Sequence, residues 1–437
     1  MTNLAQVKLW GSTIGAVALD ERSAVASFEY DEAFAQSGIE VAPLTMPLPG
    51  ARKQVFRFPG LPPHTYHGLP GLVADALPDR FGHALIDAWL AGQGRTPDSF
   101  NAVERLCYVG RRAMGALEFA PVAGPRASHS QAIDVAQLVD LASQVLAQRQ
   151  GFSAKLRQDD PVGLRDILRV GTSAGGARAK AVIAWHPQTG DVRSGQLDVD
   201  AGYQHWLLKF DGVAANRDKE LAHDPQGYGL IEYAYYLMAR DAGIIMSDSR
   251  LLSEGGRHHF MTRRFDRTDA GDKLHMQSLC ALAHFDYNAA GAYSYEQALQ
   301  VMRQLGLPGP EIEQQFRRMV FNIIMRNHDD HTKNIAFLMD RQGQWSLSPA
   351  FDLTFSYNPD GDWTSRHQMR LNGKQDHFTL LDFKTCARLA TLKRGRAEDI
   401  IDEVTSVARR WPDYADRAGV AAEWRDHIQP LLRLNFL

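Results

Sequence analysis

Apolar residues recur at three- and four-residue spacing through residues 311–325. Ile312, Phe316, Met319, Val320, Ile323 and Ile324 fall on one face, which predicts a helix. The periodicity stops at a polar run, Arg326-Asn327-His328-Asp329-Asp330-His331-Thr332-Lys333-Asn334. A short apolar stretch, 335–339, then predicts a strand. Asp340-Arg341-Gln342-Gly343 supplies a turn, 344–347 a return strand, and Asp352 follows the hairpin. Strands are also predicted at 7–10, 13–17, 24–28, 115–119, 181–184, 206–210 and 258–261. Residues 71–92 read as helical on either side of Pro78, with Phe81, Leu85, Trp89 and Leu90 on one face and Gly92 as the stop. Further helices are expected at 133–150 and 230–242, the latter ended by Gly243. From about residue 271 the chain reads as mostly helical apart from the 335–347 hairpin. Val404, Val407 and Trp411 mark one late helix stopped by Pro412. The outline is a mixed half followed by a helical half, with a break at Pro121-Val122-Ala123-Gly124-Pro125.

With 437 residues, two or three domains and a large core are expected. A net charge of −3 gives no bulk attraction to nucleic acid. Cys107, Cys280 and Cys386 are odd in number and far apart, which fits buried thiols in a reducing cytoplasm better than disulfides or a zinc site. No signal-peptide core is evident at the N-terminus, and no run approaches the ~20 apolar residues of a membrane span, so a cytoplasmic protein is expected.

The polar run carries the candidate chemistry. Asp329 and Asn334 stand five apart, the Asp-to-Asn spacing of a protein-kinase catalytic loop. There the Asp addresses the acceptor hydroxyl and the Asn holds a metal ion. Asp352 lies eighteen residues beyond Asn334, where a kinase places its second metal-binding Asp. Few protein oxygens around one hairpin suit Mg²⁺, which leaves room for phosphate oxygens. A charged, helix-capping loop is the plainer reading of the same run. The stretch 171–180, G-T-S-A-G-G-A-R-A-K, fits a phosphate cradle or an ordinary tight turn. Lys209, in an apolar strand pattern, is either a phosphate-neutralising lysine or one whose head reaches solvent. Glu232 is a candidate partner for it or a residue suited to a helix N-terminus. Phe265 is a candidate base-lining or interlobe core residue.

Together these residues resemble the HipA family, the toxin kinases of bacterial HipBA toxin–antitoxin pairs. The resemblance covers essentially the whole chain. It includes Ala76-Leu77-Pro78-Asp79-Arg80-Phe81-Gly82, the G-R-R-A-M-G-A-L stretch from Gly110 to Leu117 and, most specifically, D-x-H-x-K-N at 329–334. It implies an α+β, two-lobed protein-kinase-like fold: an extra N-terminal subdomain at 1–125, an N-lobe at 126–267 and a helical C-terminal lobe at 268–437. It further implies that Asp329 is catalytic and that Asn334 and Asp352 hold Mg²⁺. ATP phosphates would meet Lys209 and the segment Gly175, Gly176, Ala177, Arg178, Ala179 and Lys180. Arg263, Arg264 and Phe265 would line the base, with His331 and Lys333 close to the nucleotide. Ser173, beside Thr172, matches a serine that becomes autophosphorylated. Two departures are Arg263, where some members carry Glu, and Ile231, where Asn often precedes the helix Glu.

The implied activity is ATP- and Mg²⁺-dependent phosphorylation of protein Ser/Thr. The implied target is an aminoacyl-tRNA synthetase, leading to growth arrest and persistence. The implied partner is a HipB-like helix-turn-helix antitoxin that supplies DNA binding. Two rival readings stand beside it. One is a catalytically silent corepressor. The other is a metal-dependent phosphohydrolase built on His328-Asp329 and Asp330-His331.

Overall fold

A computed structural model describes residues 2–124, 133–147, 178–196, 200–213, 227–268 and 270–436. The stretch from Gly171 to Ala177, with Thr172, Ser173, Gly175 and Gly176, lies outside the described residues.

Three sheets organise the chain. Leu4–Leu9 (β1), Ser12–Asp20 (β2), Val25–Tyr30 (β3), Val55–Arg57 (β4) and Leu117–Ala120 (β5) form the first, in the order β4-β3-β2-β1-β5. Every pairing in it is antiparallel. Alternation along β1 sends Ala5, Val7 and Leu9 into a core shared with Val17, Phe28 and Phe119.

Lys180–Trp185 (β6), Val192–Ser194 (β7), Gln204–Lys209 (β8), Ser249–Glu254 (β9) and Arg257–Arg263 (β10) form the second sheet, in the order β7-β6-β8-β10-β9. Phe81, Leu85 and Ala88 from the helix Arg80–Gly92 pack against its Ala181, Ile183 and Trp206. That helix starts at Asp79, whose carboxylate accepts from Gly82 N at 2.7 Å. Between 71 and 79 only Gly71–Ala74 is helical, so helix stands on either side of Pro78 as expected, the upstream piece being a single turn. Gly92 lies inside the helix and the stop comes at Gln93.

The remainder is helical around one small sheet. His275–Ser278 (β11), Ala336–Met339 (β12) and Trp345–Leu347 (β13) pair in that order, all antiparallel. The hairpin between β12 and β13 follows the sequence reading: Gly343 has φ +80, and Asp340 Oδ1 accepts from Gln342 N and Gln344 N. β11 was not expected. The helix Gly309–Ile324 buries Phe316, Met319, Val320 and Ile323 completely. The late helix is two helices, Arg396–Ala408 and Trp411–Ala418. Pro412 sits in the first turn of the second and so begins a helix where a stop was expected, because that turn's N–H groups need no helical partner.

A buried ion cluster joins these layers. Asp266 accepts from Arg264 Nε at 2.9 Å and Nη2 at 2.7 Å, from Arg267 Nη1 at 2.8 Å and from Gly115 N at 2.6 Å. Burial would raise its carboxyl, but the two guanidinium groups hold it well below the usual carboxylate range. Gly115 has φ +75, and a Cβ there would stand 2.8 Å from Met276 N. A side chain at this junction would collide with β11.

Candidate active site

The three layers enclose a cleft of about 900 Å³. The neighbouring strands β6 and β8 of the second sheet supply one wall. Lys180 begins β6 and Lys209 ends β8, and the two are register partners. From the helix Tyr228–Asp241, Glu232 Oε1 lies 2.5 Å from Lys209 Nζ. Lys209 also bonds Asp352 Oδ1. Burial alone would lower the Lys209 ammonium, but Asp352 and Glu232 lift it above the usual range. Conversely, Lys209 and Lys180 more than offset the burial of Asp352 and keep it ionised. Lys180 Nζ lies 3.9 Å from Asp79 Oδ2, a buried oxygen with no hydrogen bond. Burial raises the Asp79 carboxyl to about 6, with Lys180 opposing.

The facing wall is the polar run after the helix Gly309–Ile324. Arg326 turns the chain with φ +57. Asn327 Nδ2 then donates to Asn322 Oδ1 at 2.9 Å and to the Asp352 carbonyl at 3.2 Å, tying the run to the residue beyond the hairpin. Asp352 itself has φ +52, a left-handed conformation that non-glycine residues adopt sparingly and that gathers at functional sites. Asn334 Nδ2 donates to the Asp329 carbonyl at 2.9 Å and closes the loop on itself. Trp363 Nε1 donates to Asp329 Oδ1 at 2.6 Å, and His331 Nε2 lies 3.7 Å from the same oxygen.

Side chains alternate in destination along this run. Asp329, His331, Lys333 and Asn334 line the cleft. His328 and Asp330 turn into the core. His328 packs against His367 with ring centroids 4.1 Å apart, and burial holds its imidazole neutral. Asp330 accepts from Tyr295 OH at 2.6 Å and Gln368 N at 2.7 Å, and His367 Nδ1 lies 2.8 Å away. The pairs His328-Asp329 and Asp330-His331 therefore do not converge. Among the described residues no group of three or more His, Cys, Asp or Glu side chains could hold a metal ion.

Of the other sequence candidates, Arg178, Arg263, Arg264 and Phe265 also line the cleft. Arg178 lies over the Tyr228 ring at 3.5 Å. Ala179 is fully buried and packs in the core of the second sheet. The Arg264 guanidinium is engaged by Asp266, and the N–H groups of Arg263 and Arg264 donate to Asp248 O and His205 O. Phe265 pairs with Phe351 at 5.6 Å across the lobes. Lys333 lies 5.2 Å from the Tyr287 ring centre. Gly175, Gly176, Ala177 and Ser173 fall outside the described residues. Sequence reasoning missed Trp363 and the pairing of Asp79 with Lys180; neither has a spacing that announces it.

Two family models match the chain. One, described as HipA N-terminal domain, covers residues 5–120; the other, HipA-like C-terminal domain, covers 172–411, more than half of the chain. The chain belongs to the HipA family.

Its α+β, two-lobed kinase-like architecture agrees. The HipA-like chain is similar over 98% of its length, and over 95% of the other chain, to a solved structure from Shewanella oneidensis MR-1. That structure is a toxin–antitoxin complex of HipA, HipB and operator DNA. The TM-score is 0.61 and the identity 14%, a likeness of fold. Two curated relatives are similar in sequence. "Putative kinase Y4mE" of Sinorhizobium fredii (strain NBRC 101917 / NGR234) is 26% identical over 198 residues, 41% of this chain and 46% of the relative. A "Putative kinase" of Haemophilus influenzae (strain ATCC 51907 / DSM 11121 / KW20 / Rd) is 25% identical over 162 residues, 33% of this chain and 47% of the relative. The chain thus spans about half the length of the curated relatives it matches. Among the described residues, no helix is long and apolar enough to cross a membrane.

Proposed function

We propose that this HipA-family chain is an ATP- and Mg²⁺-dependent protein serine/threonine kinase acting as the toxin of a toxin–antitoxin pair. The observation that carries the reading is the convergence of Asp329, Asn334, Asp352 and the Lys209–Glu232 pair on one cleft. The donor set fits the group: Asn334 and Asp352 offer two oxygen-bearing side chains, as Mg²⁺ with phosphate co-ligands requires. When bound, Mg²⁺ at these two side chains would supply positive charge against the transferred phosphate. Lys209 and Lys180 contribute fixed positive charge on the same side, and Glu232 holds Lys209 in place. Asp329 orients the acceptor hydroxyl and takes its proton. The transition state of phosphoryl transfer is loose, so positioning and electrostatics do most of the work.

The remaining assignments rest on family resemblance. Ser173 is the autophosphorylation site, and a phosphate there, carrying about −1.5 to −2 charges, repels the triphosphate and limits the kinase. The protein substrate is an aminoacyl-tRNA synthetase, whose modification stops translation and leads to growth arrest and persistence. A HipB-like antitoxin neutralises the toxin and brings it to DNA; the complex of the Shewanella relative supports that partner. The site chemistry is intracellular, and a cytoplasmic location follows.

Calorimetric titration with Mg·ATP tests the site. Asp352→Asn and Lys209→Met should each weaken binding by about 10-fold or more, since each removes a charge-assisted contact. Unchanged affinity in both variants contradicts the placement of nucleotide and metal. Ser173→Asp should likewise bind Mg·ATP poorly while Ser173→Ala binds as wild type; equal affinity refutes the self-limiting role.

A further inference from the structure

The segment after Asp352 returns to the catalytic loop at two adjacent residues. Asp330, on the core side, fixes its base: Gln368 N and the His367 ring both bond its carboxylate, and Tyr295 OH completes the shell. Gln368 Nε2 then donates to the carbonyls of Trp363 and Arg366, which sets the path of the intervening chain. Trp363 in turn reaches Asp329 on the cleft side, its indole N–H 2.6 Å from Oδ1. Parallel bridging of Asn327 with Ser356 holds the other end of the segment against the same loop. The Asp329 side chain is 40% exposed, so its rotation depends on polar contacts as well as packing. The short indole bond, from a residue whose backbone carbonyl is held by Gln368, restrains it.

We propose that Trp363 is a positioning residue for phosphoryl transfer. Its indole N–H orients the Asp329 carboxylate toward the acceptor hydroxyl and couples the 356–368 segment to the catalytic loop. This rests on the kinase reading above. An indole is suited to the task because it is donor-only and rigid, so it can hold one carboxylate oxygen without competing for the acceptor's proton. Loss of such an orienting partner typically costs 10- to 100-fold in activity.

Trp363→Phe keeps an aromatic ring, though a smaller one, and removes the donor. The expected result is a kcat lower by about 10- to 100-fold with Mg·ATP affinity and melting temperature near wild type. Trp363→Phe added to Asp329→Asn should cost little more than Asp329→Asn alone, since the two act through one bond. A variant that loses nucleotide affinity and thermal stability together with kcat assigns Trp363 to packing and overturns the proposal, as does full kcat. A readout independent of activity accompanies these: the ¹⁵N-labelled indole resonances of the full chain, with the Trp363 signal identified by its absence in Trp363→Phe. Asp329→Asn should shift that signal upfield and leave the other indoles in place. A shifted signal in a protein that transfers no phosphate supports the coupling and removes the kinase reading. An unmoved signal in an active kinase overturns the coupling alone.

Discussion

Asp79 shows how one buried carboxylate can serve structure and electrostatics together. One oxygen caps the helix Arg80–Gly92, and the other faces Lys180 without a hydrogen bond. Its carboxyl is raised to about 6 by burial, so the folded chain holds a proton there that the unfolded chain has released above about pH 4. Stability from this group is complete below the unfolded value and is lost as pH rises through about 6. Asn caps a helix as well as Asp does but carries no charge. Asp79→Asn should therefore gain stability over wild type between pH 5 and pH 7.5, by on the order of 1 kcal/mol in urea unfolding. A constant difference across that interval contradicts the raised carboxyl. Nothing in the sequence around Asp79 signals this, because its partner lies a hundred residues away in another layer. Trp363 is unannounced for a different reason: it meets Asp329 from 34 residues away, and no spacing rule pairs the two. By contrast the meeting of Asp329, Asn334 and Asp352 in one cleft was legible, since their spacing along the polar run and past the hairpin is read directly from the sequence. Glu232 was ambiguous in sequence and became defined only when the helix placed it beside Lys209.

Elements with strong local patterns were read correctly, and those fixed by distant partners were not. The helix Gly309–Ile324 and the hairpin Ala336–Leu347 carry their own periodicity and turn residues. β11 is four residues, His-Met-Gln-Ser, without a helix- or strand-forming run, and it exists because β12 offers an edge sixty residues later. Pro412 was misread because a proline that ends one helix and one that begins the next look alike until the cap is seen. The Asp266 cluster belongs to this scale: it joins the end of β10 to the Gly115 turn, in the stretch between the first and third sheets. Asp266→Asn preserves shape but leaves two buried guanidinium groups uncompensated. Equilibrium unfolding should show a loss of about 3–5 kcal/mol. A loss below about 1 kcal/mol would mean the cluster is not a structural joint.

At the scale of the molecule, the cleft has walls from all three layers: Leu72, Ala76, Leu77 and Leu117 from the first sheet's core, the second sheet with its two lysines and the helix Arg80–Gly92 packed on it, and the helical lobe with its polar run. The core clusters cross between layers too, since Cys280 and Met339 pack with the first sheet. The sequence outlined this architecture as a mixed half and a helical half. It could not show that the N-terminal segment 71–92 lines the cleft, because that contact depends on tertiary packing alone.

Kinase activity at this cleft is most directly tested by intact-mass spectrometry of the full chain. Protein first freed of phosphate is incubated with Mg·ATP, with Asp329→Asn and Asp352→Asn alongside. The account predicts one added phosphate on wild type, mapped by peptide sequencing to Ser173, and none on either variant. Wild type that gains no phosphate and also leaves candidate synthetases unmodified would contradict it, as would a variant that gains phosphate as readily as wild type.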